Sequence, residues 1–400
     1  MRKDKRRIKY GIELGIELGW TRMVCATGKR RCRLYETDRG VPMNDSSSFV
    51  IQSCVCLKRL CYLPRSMSTR EYPKRLKATQ MLLLATVFWG ISFPVMKALG
   101  MAQQSVLPHA SSWFITASAV TMRFGVAFLI MLIWCWPSLR RMTRLEMWHG
   151  VGLGIFGGAG LLFQMDGLTY TSASTSAFLT QCYCLILPVI VAVRDRQWPS
   201  PLIFICCFMV VAGVAILAQV DWRTMRLGRG EWETLVGSLI FTAQILWLER
   251  PLFDRNRVEH FTLVMFLVTA LIALPVSLVT ANDPRDWLVA YASPAVIGLT
   301  AILVIFCTMT AYVMMNYWQR HVPAAEAGLI YGAEPVFASL FALFLPGWFS
   351  ALALLAYPNE KVTGSLLVGG GLVTAANILI QIRAISAAKP SSASGDIAVG

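Results

Sequence analysis

The chain has 400 residues, of which 56% are hydrophobic and 15% charged, and its formal net charge is +15. This composition argues against an ordinary soluble globular domain. Residues 1–66 alone contain 15 Lys and Arg against 6 Asp and Glu. The positive charge is therefore concentrated in one segment, which argues against a nucleic-acid-binding surface.

Residues 1–77 form a basic segment that we predict to be a disordered tail. No apolar stretch in residues 1–66 is long enough for a signal peptide, and the sequence Gly-Ile-Glu-Leu occurs twice in succession at 11–18. Met67 begins a short basic stretch that leads directly into the first apolar segment. Our interpretation is that Met67 is the physiological start. Peptides from residues 1–66, recovered from the native host's protein, would contradict it.

From about residue 78 to residue 382, apolar stretches long enough to cross a bilayer alternate with short polar connections. A hydrocarbon core of about 30 Å requires about 20 helical residues. The pattern predicts an all-α polytopic membrane protein with ten transmembrane helices in two sets. The first set is 78–99, 113–136, 149–169, 172–193 and 201–219. A linker at 220–232 separates it from 233–248, 261–281, 291–317, 324–345 and 362–382, and a flexible tail follows at 384–400.

The distribution of basic residues predicts the orientation in the membrane. Lys and Arg cluster before the first helix and in alternate connections, whereas residues 101–112 contain none. By the positive-inside rule we predict that both termini are cytoplasmic. We also expect the protein to lie in the inner membrane. Five helices per set place the second set (233–383) in the membrane in the opposite sense to the first (78–219), as inverted repeats.

One segment interrupts the alternation. Pro346-Gly347 is followed by about ten apolar residues, which span only about 15 Å as a helix. We interpret residues 346–360 as an interfacial or re-entrant insertion. The alternative, an eleventh crossing, would move the C-terminus outside.

Motifs of intramembrane enzymes and metal sites are missing from the sequence. It has no His-Glu-x-x-His, no Gly-x-Ser-x-Gly and no paired aspartate cluster, and no finger-type spacing follows Cys54, Cys56 and Cys61. The four histidines fall at helix ends or in loops, where we expect them to be solvated. We therefore predict neither catalysis, nor a metal, nor a cofactor.

Four ionisable residues fall at membrane depth, where an unpaired charge costs several kcal/mol. They are Lys97, Arg123, Asp166 and Glu334. Lys97 could equally extend to the interface, and Arg123 could pair with a carboxylate or backbone carbonyls. Glu334 precedes Pro335, so it either lines a cavity or bonds freed backbone groups.

Polar and aromatic residues recur at positions that could line a solute cavity, although each also suits an interhelical hydrogen bond or an interface anchor. They are Trp89, Gln164, Gln181, Gln244, Trp247, Tyr312, Asn316, Tyr331, Asn377 and Gln381. Gly150, Gly154 and Gly158 are spaced by four and predict close packing of one helix face.

Four segments together resemble EamA-type members of the drug/metabolite transporter superfamily. They are Phe88-Trp-Gly-Ile-Ser-Phe-Pro-Val-Met-Lys97, Met122-Arg-Phe, Gly167-Leu-Thr-Tyr-Thr-Ser-Ala-Ser-Thr-Ser-Ala-Phe-Leu-Thr180 and Ala333-Glu-Pro-Val-Phe-Ala-Ser-Leu340. The resemblance implies two inverted five-helix repeats, a central cavity with alternating exposure, and export of a metabolite or drug. It places Trp89, Lys97, Arg123, Glu334 and Pro335 at family motif positions.

Two positions depart from the family pattern. The acidic residue expected after the fourth helix is replaced by Arg194-Asp195-Arg196 in the first set. In the second set Glu360, in the segment Glu360-Lys-Val-Thr363, supplies this acidic residue, but it comes only after the insertion.

We therefore predict a secondary transporter that exports a small organic solute across the lipid bilayer. An intramembrane enzyme acting on lipid or prenyl substrates and a non-transporting sensor are the alternatives, and a homodimer is left open. If transport is proton-coupled, Glu334 or Asp166 is the first residue to test.

Overall fold

A computed structural model describes residues 17–18, 21–25, 32–36, 72–194, 201–217, 227–322 and 324–387. The chain divides into two compact units, Met1–Arg65 and Ser66–Gly400. In the first unit, three short antiparallel strands are described in the order β1 (Glu17–Leu18), β2 (Thr21–Cys25) and β3 (Cys32–Glu36). They lie in the segment for which the sequence predicts a disordered tail.

The described residues of the second unit form helices joined by short connections. The first half contains α1 (Tyr72–Val106), α2 (Ser112–Cys135), α3 (Arg144–Tyr170), α4 (Ala173–Thr180), α5 (Tyr183–Arg194) and α6 (Pro201–Leu217). The second half contains α7 (Arg229–Leu248), α8 (Val258–Thr280), α9 (Asp286–Ala290), α10 (Pro294–Ile302), α11 (Ala311–Trp318), α12 (Ala324–Tyr331), α13 (Glu334–Ala342), α14 (Leu345–Ala353) and α15 (Gly364–Ala387). The predicted all-α polytopic fold is confirmed.

Length and apolar composition identify the membrane-crossing helices. Among the described residues five helices qualify, within 74–106, 112–141, 144–170, 258–280 and 294–321. A sixth is obtained if α13 and α14, which are bent by 51° relative to each other, form one broken span. The number ten stays a prediction. The bend falls at the start of the insertion predicted at 346–360, and it is the geometry of a broken span or a re-entrant turn.

The fourth predicted helix of each set is broken in the structure. Turns at Gln181–Cys182 and at Gly332–Ala333 separate α4 from α5 and α12 from α13. At the second turn Gly332 supplies a flexible backbone, and Pro335 occupies the first turn of α13, where its missing N–H breaks no hydrogen bond. The eighth predicted helix is continuous, but residues Leu303–Thr310 between α10 and α11 are a π-helix.

Helix α3 packs along both α7 and α8, and α2 also packs along α8. Glycines on two faces of α3 permit this close approach. On one face, a Cβ at Gly154 would lie 2.6 Å from the Val268 Cβ atom of α8. On the other, a Cβ at Gly167 would lie 2.7 Å from the Gly230 carbonyl of α7. The close packing predicted from the glycine spacing is present.

The Gly154→Ala substitution tests this contact. The new methyl group would also meet the Met265 carbonyl at 2.9 Å, and such overpacking costs about 1–3 kcal/mol. We expect a clearly lower melting temperature of the purified protein in detergent. Gly125→Ala on α2 is the matched control, because a Cβ there would meet nothing within 4 Å. Equal melting temperatures for the two variants would contradict the packing role.

Candidate functional site

A central cavity of about 60 Å³ lies between the two halves. Both halves supply its walls, and most of the lining side chains are aromatic or polar. The lining residues are Trp89, Ser92, Arg123, Leu161, Gln164, Thr180, Tyr183, Phe241, Gln244, Ile245, Tyr312, Met315, Tyr331 and Glu334. Seven of the predicted site residues, Trp89, Arg123, Gln164, Gln244, Tyr312, Tyr331 and Glu334, therefore meet there.

Three aromatic side chains form one wall of the central cavity. The ring centroid of Trp89 lies 5.5 Å from that of Tyr312 and 5.3 Å from that of Tyr331, in edge-to-face arrangements. The Tyr331 hydroxyl donates to Gln319 Oε1 at 2.7 Å. The Trp89 indole N–H, in contrast, is buried and has no hydrogen-bond partner in the described part of the chain. A solute in the cavity could accept this hydrogen bond.

Glu334 supplies a buried carboxylate at the first residue of α13. Its side chain accepts a hydrogen bond of 2.9 Å from Gln181 Nε2, so the two helix breaks meet at this contact. The residue is only 6% exposed, and no cationic side chain forms an ion pair with it among the described residues. A buried carboxylate whose protein partner is neutral favours a solute that brings a positive charge or hydrogen-bond donors.

Arg123 supplies the opposite charge and is 2% exposed. Its guanidinium donates to the Thr308 hydroxyl and, at 3.0 Å, to the Cys307 carbonyl, both in the π-helix, and it lies 3.3 Å from the Met96 sulfur. π-helical turns are frequent at functional sites because their altered bonding exposes backbone groups. The sequence left open whether Arg123 pairs with a carboxylate or with backbone carbonyls, and in the structure it pairs with a backbone carbonyl.

Gln164 and Gln244 provide neutral amides across the central cavity. Gln164 Nε2 donates to the Thr180 hydroxyl at 2.9 Å. Gln244 lies against Gly157 of α3, where a Cβ atom would come within 2.8 Å of its amide nitrogen. The absence of a side chain at residue 157 therefore leaves the room that the Gln244 amide occupies.

Two predicted site residues lie toward the end of the bundle where α1 and α3 finish, called the Lys97 end. The Lys97 ammonium donates to the Thr171 and Leu168 carbonyls at the C-terminus of α3. Asp166 is fully buried and pairs with Arg229 at 2.5 Å, and Arg229 also contacts Glu233 at 2.7 Å. These groups join α1, α3 and α7 outside the central cavity.

Two more predicted site residues, Trp247 and Asn316, lie at the opposite end of the bundle, where α3 begins. We call this the His149 end. The Trp247 indole donates to the His149 carbonyl at 3.1 Å. Asn316 Nδ2 donates to the Thr262 hydroxyl at 2.9 Å. Neither side chain lines the central cavity. Asn377, also predicted, and Gln381 have side chains outside the described residues.

The histidines at the His149 end differ from the sequence expectation of solvated side chains. His149 and His260 are buried. His260 Nδ1 lies 2.9 Å from Glu146 Oε2, and its Nε2 lies 3.0 Å from the Ser138 hydroxyl. Glu146 also accepts hydrogen bonds from the backbone N–H groups of Thr143 and Arg257. The cluster therefore ties together the ends of α2, α3 and α8.

Sequence reasoning missed several members of the site. Tyr183, Phe241 and Met315 line the central cavity but look like ordinary apolar helix residues. Arg229 was missed as the partner of Asp166, although its position among the charges around the linker was a signal. In the described part of the chain, no group of three or more His, Cys, Asp or Glu side chains is arranged to hold a metal ion.

Comparison with known proteins matches the chain to a protein family, to two curated proteins and to solved structures. The model of the EamA-like transporter family matches residues 76–219. An uncharacterized transporter of Archaeoglobus fulgidus is 26% identical over 342 residues, covering 83% of this chain and 94% of that protein. An uncharacterized transporter of Haemophilus influenzae is 28% identical over 113 residues, covering 28% of this chain and 64% of that protein. A solved crystal structure gives a TM-score of 0.48 at 19% identity, covering 77% of this chain and 99% of that chain.

The Arg229→Gln substitution tests the ion pair at the Lys97 end. It leaves the Asp166 carboxylate buried without its cation, and removing one partner of a buried pair is strongly destabilising. Because the Arg229 side chain is 46% exposed, we expect a smaller loss, on the order of 1–3 kcal/mol. The double variant Asp166→Asn/Arg229→Gln should recover much of the melting temperature. Additive losses in this double-mutant cycle would contradict the pairing.

Proposed function

We propose that this chain is a membrane transporter whose central cavity binds a small organic solute and carries it by alternating access. The match of residues 76–219 to the EamA-like transporter family and the similarity to a transporter of Archaeoglobus fulgidus support the proposal. Transport is secondary-active and outward, from the cytoplasm across the inner membrane. The observation that carries the proposal is one cavity in which Arg123 and Glu334, neither of which forms an ion pair among the described residues, lie beside an aromatic wall.

The helix breaks support this proposal. In transporters built from repeats, discontinuous helices near the middle of the membrane supply the solute site. Here the breaks in α4–α5 and α12–α13 occur at equivalent places in the two halves, and Gln181 from one break bonds Glu334 from the other. The helix N-terminus at Glu334 and the π-helix beside Arg123 both present backbone groups at the depth of the central cavity.

The helix packing supports movement of one half against the other. The contact of α3 with α7 corresponds to the contact of residues 294–318 with α1, and the contact of α1 with α13 corresponds to that of α7 with α4. In the contacts between α2 and α8 and between α6 and α15, each helix packs against its own counterpart in the other half. Matching contacts of this kind are expected between two related halves. Rocking of one half against the other would open the central cavity first at one end of the bundle and then at the other.

The walls of the central cavity favour a solute with an apolar body and polar groups. Trp89, Tyr312 and Tyr331 offer ring surfaces for the apolar body. Arg123, Glu334, Gln164 and Gln244 offer both hydrogen-bond donors and acceptors. Solute or proton gradients would drive the cycle, with Glu334 as the first residue to test for proton coupling.

The proposal is tested by metabolite profiling of cells and medium. A deletion strain is compared with strains overproducing the native chain, Glu334→Gln or Arg123→Gln. We expect at least one small organic compound to accumulate in the medium with the native chain and to fall to the deletion level with either variant. Both substitutions remove a charge that faces the solute.

Asp254→Asn is the matched control, because it also removes a carboxylate but from an exposed loop. It should export like the native chain, and immunoblots of the membrane fraction should show equal amounts of all variants. A compound exported equally by the native chain and both cavity variants would refute the role of the central cavity. Identical profiles for native and deletion strains would favour import or a sensor.

A further inference from the structure

A second cavity of about 120 Å³ lies at the Lys97 end, and the proposed transport function does not yet account for it. We call it the Lys97-end cavity. Helices α1, α2 and α3 supply its walls, which include Met96, Lys97, Gln103, Thr116 and Met165. The same three helices also line the central cavity through Ser92, Arg123 and Gln164.

The two cavities follow one another along these helices. On α1 the lining passes from Ser92 to Met96. On α2, which runs in the opposite direction, it passes from Arg123 to Ala119. Each step is four residues, or about 6 Å along a helix at 1.5 Å per residue. On α1 and α2 the Lys97-end cavity therefore begins one turn beyond the central cavity, whereas on α3 it begins at Met165, directly after Gln164.

Met96 separates the two cavities. Its side chain lines the Lys97-end cavity, and its sulfur lies 3.3 Å from Arg123 Nη1, which lines the central cavity. A methionine side chain is unbranched and adapts its shape readily. Rotation of this one side chain would connect the two spaces, and a solute leaving Arg123 would then reach Lys97.

The polar groups of the Lys97-end cavity are suited to an anion. Lys97 donates to two backbone carbonyls; the Glu360 carboxylate is the nearby negative charge, but among the described residues no carboxylate lies within ion-pair distance of the ammonium. Gln103 is fully buried; its amide faces the Tyr291 hydroxyl, and neither amide atom has another hydrogen-bond partner among the described residues. A buried amide with unused hydrogen-bonding capacity can bind a ligand or a water molecule.

The remaining walls are apolar, with Met96, Met101, Met165 and Ile115, and the lining contains no Asp or Glu. We propose that the Lys97-end cavity is a second solute site, which holds the carboxylate of an organic acid with an apolar body between Lys97 and Gln103. The inference rests on the proposed function, because the site lies on the path from the central cavity. The carboxylate passes from Arg123 to Lys97 as Met96 moves aside.

Equilibrium binding of radiolabelled benzoate to the purified full-length chain in detergent tests this site. Benzoate combines a carboxylate with an apolar ring. We expect saturable binding that Lys97→Met and Gln103→Leu each weaken at least tenfold. Lys361→Met is the matched control, since it removes an exposed lysine outside both cavities, and it should leave the Kd unchanged. Benzyl alcohol, with the same ring but no charge, should not displace benzoate.

Arg123→Met distinguishes this site from the central cavity. Retained benzoate binding in Arg123→Met, together with its loss in Lys97→Met, supports the second site. Loss in Arg123→Met with retention in Lys97→Met would place the ligand in the central cavity and overturn the inference. Absence of saturable binding to the native chain would also overturn it. Neither result touches the proposed function, which the effect of Glu334→Gln on export tests separately. Melting temperatures of all variants confirm that each one is folded.

Discussion

Close backbone approach of α3 to α7 and α8 is the contact on which the rest of the structure depends. Without a hydrophobic driving force between helices in lipid, association relies on packing, and small residues make that packing possible. Gly154 faces α8, while Gly167 faces Gly230 of α7. A helix of the first half is thereby held against two helices of the second. Gln164 of α3 and Gln244 of α7 both line the central cavity at this junction.

Polar side chains divide into those that join helices and those that line the cavities. At the two ends of the bundle, Asp166 pairs with Arg229 and Glu146 bonds His260, so each buried acid meets a group from the other half. Between the ends, Glu334 has a neutral partner and the Trp89 indole N–H has none in the described part of the chain. Leaving a buried polar group without a partner costs about 1–3 kcal/mol. Groups that bear this cost in a cavity are the ones a solute would satisfy.

The sequence predicts the helices well because an apolar run of membrane length has few alternatives in a bilayer. Arg123 and Glu334 were also identifiable, since charges at membrane depth are conspicuous. Partners were not identifiable, because the pairing of Asp166 with Arg229 depends on the approach of α3 to α7 across 63 residues of sequence. Gln103 gave no signal at all. An amide near a helix end is unremarkable until the fold buries it.

The asymmetry of the two helix breaks bears on how a solute is recognised. The breaks occupy equivalent places in the two halves, yet one supplies the neutral amide of Gln181 and the other the carboxylate of Glu334. Arg123 likewise adds its positive charge from the first half alone. A symmetric scaffold with a neutral lining would accept a solute in either direction. Because these charges lie on different helices, the proposed function implies that a solute with distinct ends would satisfy both charges in only one orientation.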